Sequence, residues 1–157
     1  LLDQLPRLDV VYVSIGGGGL ISGIGSVLKA FSPKTRVVGV SAKNSAELAA
    51  SIRAGKMVKV DHHETLADGC AGGVDSDTIT LGLGSEVIDD LIDCSEQQIK
   101  SGLQQIAWSE KMLVEGSAGL AYAAWQEDAR KNNNKISAVV LCGANFDKET
   151  LSPIVNL

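Results

Sequence analysis

Four consecutive glycines, Gly16-Gly17-Gly18-Gly19, join a β-branched apolar run to a helix-compatible segment, and few structures can use such a junction. Each glycine loses more backbone freedom on folding than any other residue, so four in a row weaken both the strand and the helix they connect. The compensating job is one that bare backbone does best. The chain bends so that successive N–H groups point at one anion, while the following helix adds the partial positive charge of its N-terminus. A phosphate is the natural guest, and a plain glycine-rich turn is the bland alternative. Two spellings narrow the ligand. The dinucleotide pattern Gly-x-Gly-x-x-Gly fails because its last position is Ile21 counted from Gly16 and Ser22 counted from Gly17. The nucleotide P-loop needs Gly-Lys-Ser/Thr, and Leu20 follows Gly19.

The flanking pattern predicts the layers. Leu8 to Ser14 (LDVVYVS) reads as a buried parallel strand and Leu20 to Phe31 as a helix stopped by Ser32-Pro33. Arg36 to Ser41 is the next strand, and Ala46 to Arg53 a helix ended at Gly55. Met57 to Asp77 has weak periodicity and reads mostly as loop, followed by a helix over Thr78 to Asp90 and a short strand at Leu91 to Cys94. Ser95 with Gln98 forms a capping box for a helix running to about Lys111. A further helix spans Ser117 to Lys131, Asn132-Asn133-Asn134 is a surface turn, and Ile136 to Leu141 is a buried strand ending in Cys142-Gly143-Ala144-Asn145. Strands alternating with helices indicate an α/β fold: a three-layer, mainly parallel open sheet with helices on both faces. Ligands of such sheets bind where strands end, and two strands here end in glycine-bearing loops.

Composition bounds the function. The 157 residues, 45% of them hydrophobic, suffice for one domain with a core. Nineteen acidic against 14 basic residues give a net charge of -5, which argues against a nucleic-acid or anionic-membrane surface. The sequence shows neither a membrane-length apolar run nor the basic-then-apolar order of a signal peptide. Cys70, Cys94 and Cys142 form no C-x-x-C pair and fit a reducing cytoplasm. The hydrolase elbow G-x-S-x-G is missing too.

Four segments together carry a specific resemblance. SIGGGGLISGIG, at Ser14 to Gly25, resembles the tetraglycine phosphate loop of fold-type II pyridoxal-phosphate enzymes, in particular the threonine/serine dehydratase (serine racemase-like) family. Glu64 to Gly69 (ETLADG) is similar to that family's T-[IL]-A-D-G loop. Leu113 to Gly119 (LVEGSAG) is similar to its E-P-[ST]-[AG]-[AG] helix start, with Gly116 in place of the usual proline, and Leu141 to Asn145 (LCGAN) to its [SC]-G-[GA]-N loop. The resemblance implies the large, cofactor-binding domain of such an enzyme, whose parent would eliminate ammonia from L-threonine or L-serine to leave a 2-oxo acid. It implies pyridoxal 5'-phosphate as cofactor, a small amino-acid substrate, and a cytoplasmic homo-oligomer as the full-length enzyme. Gly16, Gly17, Gly18, Gly19 and Leu20 would hold the phosphate, and Gly69 would lay backbone against the cofactor. Glu115 would stand near it, though a carboxylate at a helix start is favoured anyway. Cys142, with Gly143 and Asn145 beside it, would face the pyridine nitrogen. A neutral thiol there makes a weaker electron sink, which favours prompt β-elimination.

The resemblance also implies a divalent cation near the end of the second strand, but only partly. Ser41 stands where a first carboxylate is expected, Ser45 could give a carbonyl, and Glu47 alone keeps an acid, whereas hard cations want several charged oxygens. Lys43 could place a positive charge there. His62-His63-Glu64 lacks metal-ligand spacing and reads as exposed loop. The family's chemistry further needs a lysine bonded to the cofactor in an S-F-K-like context near its N-terminus. No lysine here has that context. The expectation is therefore a C-terminal part of a longer enzyme, carrying no catalytic residue of its own and inactive alone. A non-catalytic phosphate- or nucleotide-binding module is the alternative.

Overall fold

In the computed structural model, which describes residues 1–129 and 134–156, the apolar runs become neighbouring parallel strands. β1 (Val10–Ser14) is buried at every position and β2 (Arg36–Ala42) at all but its first, as expected of strands covered on both faces. They pair from Val10 opposite Arg36 to Ser14 opposite Val40. β3 (Asp90–Cys94) adds to the free edge of β2, and β4 (Ser137–Val139) to the other edge of β1, both in parallel. The order is β3-β2-β1-β4.

The period of two along the strands divides the core. Val10, Tyr12, Val38 and Val40 face one way, onto Ile99 and Leu103 of α4 (Glu96–Gln105) and Ala118 and Leu120 of α5 (Gly116–Ala129). Val11, Val13 and Val37 face the other way. They meet Ile21 and Leu28 of α1 (Gly19–Phe31) and Leu48 of α2 (Glu47–Ala54). α3 (Thr80–Val87) packs beside α1 and α2. Helices thus cover both faces, as the alternation predicts. On the α5 side Tyr12 donates its buried hydroxyl to Asp128 Oδ2 at 2.8 Å, and Arg36 Nη1 donates to the same oxygen at 2.8 Å. Burial, reinforced by that carboxylate, raises the Tyr12 pKa.

Local chemistry sets the ends. Gly55 caps α2 in the left-handed region at φ 66°. The Ser95–Gln98 capping box forms in both directions, Ser95 N–H donating to Gln98 Oε1 at 2.8 Å. The helical path after it reaches the predicted end near Lys111, although its α-helical part is shorter than the pattern predicts. α4 ends at Gln105, widens into a π turn over Ile106–Glu110 and stops at Lys111, which turns left-handed at φ 58°. The Thr78 to Asp90 helix likewise shrinks to Thr80–Val87, because Asp89 turns away. Its carboxylate accepts from Lys29 Nζ at 2.7 Å and from Val37 N–H at 2.7 Å, which starts β3. The Met57 to Asp77 segment is loop except for one 3-10 turn at Asp68–Cys70. Asn134 adopts a turn at φ 72°, while Asn132, Asn133 and the predicted last two helical residues, 130 and 131, lie outside the described residues.

One helix has no counterpart in the sequence pattern. α6 (Lys148–Val155) is capped by Asp147, whose carboxylate accepts from Thr150 N–H at 2.7 Å, and it contains Pro153. A proline reads as a breaker, yet in eight residues it forfeits a single bond to the first turn. Leu151 and Ile154 are buried, and α4 holds the end through Gln104 Nε2 donating to the Ile154 carbonyl at 2.8 Å.

Candidate cofactor site

From β1 the chain moves to β2 and β3 on one side, then crosses back to β4 on the other. The strand order reverses between β1 and β4, and in open parallel sheets the crevice beyond the carboxyl ends at such a point is where ligands bind. Both glycine-bearing loops leave from there. Ile15 N–H donates to the Val40 carbonyl at 2.7 Å, holding the sheet together one residue past β1 before the glycines turn. Gly18 makes that turn at φ 85°, and a Cβ there would lie 2.4 Å from Leu48 Cδ2, so conformation and space both exclude a side chain. Among the described residues, no backbone carbonyl accepts from the N–H groups of Gly16, Gly17, Gly18, Gly19 or Leu20. On the outer side of the loop, a Cβ at Gly17 or Gly19 would meet nothing within 4 Å. Free donors around open space at a helix N-terminus make an anion cradle.

The second loop comes to the same floor. Cys142 is exposed, and its Sγ lies 3.4 Å from Ser14 Oγ, the last residue of β1. Glu115, half-buried at the start of α5, clamps this loop from both ends. Its N–H donates to the Gly143 carbonyl at 3.2 Å and its Oε2 accepts from Asn145 N–H at 2.8 Å. The Asp68–Cys70 turn closes the ring. A Cβ on Gly69 would be 2.9 Å from Ser117 Oγ and 3.3 Å from Glu115 Oε1, and Cys70 backbone lies against Gly16. The four motif segments, far apart in sequence, therefore share one crevice. Glu115 shapes it by holding the Cys142–Asn145 loop. Ser14 is a member that the sequence did not announce, its one signal being a hydroxyl at the end of an apolar strand.

The other thiols are chemically quiet. Burial raises the Cys70 pKa despite the nearby Ser117 and Ser14 hydroxyls, and burial pushes Cys94 up to about 12. Neither suits a nucleophile at neutral pH.

The expected cation ligands require correction. Glu47 is buried, but its carboxylate is already satisfied by Val74 N–H at 2.9 Å, Lys59 Nζ at 3.1 Å and His62 Nε2 at 3.0 Å. The Ser45 hydroxyl meets His62 Nδ1 at 2.8 Å and Gly72 N–H at 3.0 Å. A divalent cation does not fit this donor set, and no group of three or more His, Cys, Asp and Glu is placed to hold one among the described residues. The positive charge comes from Lys59, while Lys43 is exposed elsewhere. His62 belongs to an exposed loop, as predicted, yet it is tied down at both ring nitrogens.

An open parallel sheet with unpaired backbone donors and a thiol at its switch point defines an α/β protein with a crevice suited to an anion, and those residues fit a phosphorylated pyridine. Comparison with known proteins narrows the class. The family described as pyridoxal-phosphate dependent enzyme matches residues 1–143, and the chain belongs to it. It is 31% identical over 156 residues to the L-threonine ammonia-lyase of Thermotoga maritima, covering 99% of this chain and 38% of that enzyme. The threonine deaminase isoform 2 of Solanum lycopersicum superposes with a TM-score of 0.89 at 25% identity, over 98% of this chain and 45% of that one. Maize serine racemase gives 0.84 at 28% identity, over 97% and 48%. The chain thus spans less than half the length of these relatives.

Proposed function

We propose that this chain forms the cofactor-holding part of a pyridoxal-phosphate-dependent ammonia-lyase that converts threonine or serine to a 2-oxo acid and ammonia. The observation that supports this reading is the 3.4 Å approach of Ser14 Oγ, at the end of the strand that leads into the glycine loop, to Cys142 Sγ. Relatives named for threonine deamination supply the reaction. Pyridoxal phosphate, when bound, would supply the electron-withdrawing ring that such an elimination needs. The chain's own residues bind and orient. The N–H groups of Gly16 to Gly19 and Leu20 would donate to the phosphate, Gly69 would lay backbone beside the ring, and Cys142 Sγ would meet the pyridine nitrogen. Gly143 and Asn145 are held in place by Glu115, which fixes the height of that thiol. No lysine of this chain stands in an S-F-K-like context, so the part proposed for these residues is to bind and orient the cofactor. Assembly with further copies and a cytoplasmic setting belong to the same reading, the latter supported by three free cysteines.

Calorimetric titration of the chain with pyridoxal 5'-phosphate, pyridoxal, inorganic phosphate and AMP tests the reading. The expected result is a preference for pyridoxal 5'-phosphate that Cys142→Ala weakens while leaving inorganic phosphate binding unchanged. Equal affinity for phosphate or AMP, or indifference to Cys142→Ala, would establish a general phosphate- or nucleotide-binding module instead.

A further inference from the structure

Glu47 does something that no role in cofactor binding requires. It opens α2 with its side chain 1% exposed, and a carboxylate so deeply buried needs compensation. Its partners come from two separate stretches of the long loop between α2 and α3. Lys59 and His62 lie ahead of the Asp68–Cys70 turn, and Val74 lies behind it. Ser45, two residues before Glu47, repeats the arrangement by bonding His62 Nδ1 ahead of the turn and Gly72 N–H behind it. Lys59 Nζ also donates to the Val74 carbonyl at 3.3 Å, so one ammonium bridges the two arms directly. Asn44 adds a neighbouring pair of bonds, its carbonyl accepting from His63 N–H at 2.9 Å and its Nδ2 donating to the Glu64 carbonyl at 2.7 Å.

We propose that Ser45 and Glu47 form a clasp that closes the loop of residues 59–74 with the Lys59 ammonium and the His62 ring, in the place where a divalent ion would be expected, and so seats the Asp68–Cys70 turn against the glycine loop without metal. Loop closure brings the ends together at an entropic cost, and one charged acceptor gripping both arms offsets it. A divalent ion would have to displace Lys59 and Val74 N–H from Glu47 Oε1, or the His62 ring from Oε2, and it would recover a single carboxylate in return. The clasp is therefore a positioning device. It touches neither phosphate nor ring, but it sets where Gly69 and Cys70 stand. It holds whether or not the chain binds pyridoxal phosphate.

The test uses the 157-residue chain. Calorimetric titration with MgCl2 and with CaCl2 gives no binding heat, and the thermal midpoint is the same with either salt as with EDTA. Amide hydrogen exchange at Val74 speeds up about tenfold or more in Lys59→Met and in His62→Ala, the factor expected for losing part of a charge-assisted bond, and Gly72 speeds up in His62→Ala. Both substitutions sit at solvent-accessible side chains, so the fold survives them. The proposal is overturned if the wild-type chain takes up Mg2+ or Ca2+ with a rise in midpoint that Glu47→Gln removes. It is equally overturned if either single variant leaves the Val74 exchange rate unchanged.

Discussion

Gly116 stands where the resembling family usually carries proline, and the structure turns that difference into a measurable quantity. A Cβ at this position would lie 1.6 Å from the Leu66 carbonyl oxygen and 2.3 Å from its carbon, where real contacts stay beyond 3.0 Å. Leu66 cannot simply yield. Its N–H is held by Glu96 Oε2 at 2.7 Å, and two residues on the chain enters the Asp68–Cys70 turn that lies against the glycine loop. Gly116→Ala therefore forces overpacking of about 1–3 kcal/mol, and it loses part of a charge-assisted hydrogen bond worth about 1.5–3 kcal/mol. Replacing glycine in a helix returns at most about 1 kcal/mol, less at its first residue. The net expectation is a loss of about 2–3 kcal/mol, a fall in midpoint of about 4–12 °C for a domain of this size. Urea denaturation of wild type, Gly116→Ala and the control Gly82→Ala measures it. A Cβ at Gly82 would meet nothing within 4 Å, so that control should be neutral or slightly stabilising. Because the clash belongs to Cβ, Gly116→Pro should suffer as well. Wild-type stability in Gly116→Ala would refute the reasoning, since Leu66 would then be free to move.

Acid stability should depend on Glu47. Its hydrogen bond from Val74 N–H, followed by those from His62 and Lys59, outweighs burial and holds the carboxyl at about 2, below its ordinary 4.5. A depressed carboxylate stabilises the fold fully above its unfolded pKa and loses that contribution as pH falls toward the folded one. Urea midpoints measured downward from pH 5 should therefore drop more steeply in wild type than in Glu47→Gln, and parallel acid limbs would contradict the assignment. At the start of α4, Ser95→Ala removes half of the capping box and should cost about 1 kcal/mol by urea denaturation, leaving pyridoxal phosphate affinity unaltered.

Much of this architecture is legible from the chain alone because it rests on local pattern. Leu8 to Ser14 and Arg36 to Ser41 are buried on both faces of a parallel sheet, so their unbroken apolar runs report strands directly, and the Ser95–Gln98 spacing reports a helix start. The glycine loop is equally local, since four glycines admit few other uses. What escaped the pattern depends on surfaces brought from elsewhere. α6 forms despite Pro153 because α4 offers Leu151 and Ile154 a place to bury. The helix begun at Thr80 stops at Val87 because Asp89 finds Lys29 and Val37 across the fold.

The site divides along the same line. Gly16 to Gly19, Gly69, Glu115 and Cys142 are recognisable as residue types in short motifs, but only the tertiary structure sets Ser14 against Cys142 and gives Glu115 its grip on the Cys142–Asn145 loop. Glu47 is the sharpest case. Its sequence neighbourhood points to a cation ligand, whereas the folded chain supplies Lys59 and His62 from a loop with no periodicity of its own. Sequence determines which groups are available and the local shapes they favour. Which charge meets a buried carboxylate is decided by long-range closure, where burial makes an unpaired ion too costly to leave and the nearest protein cation fills the role.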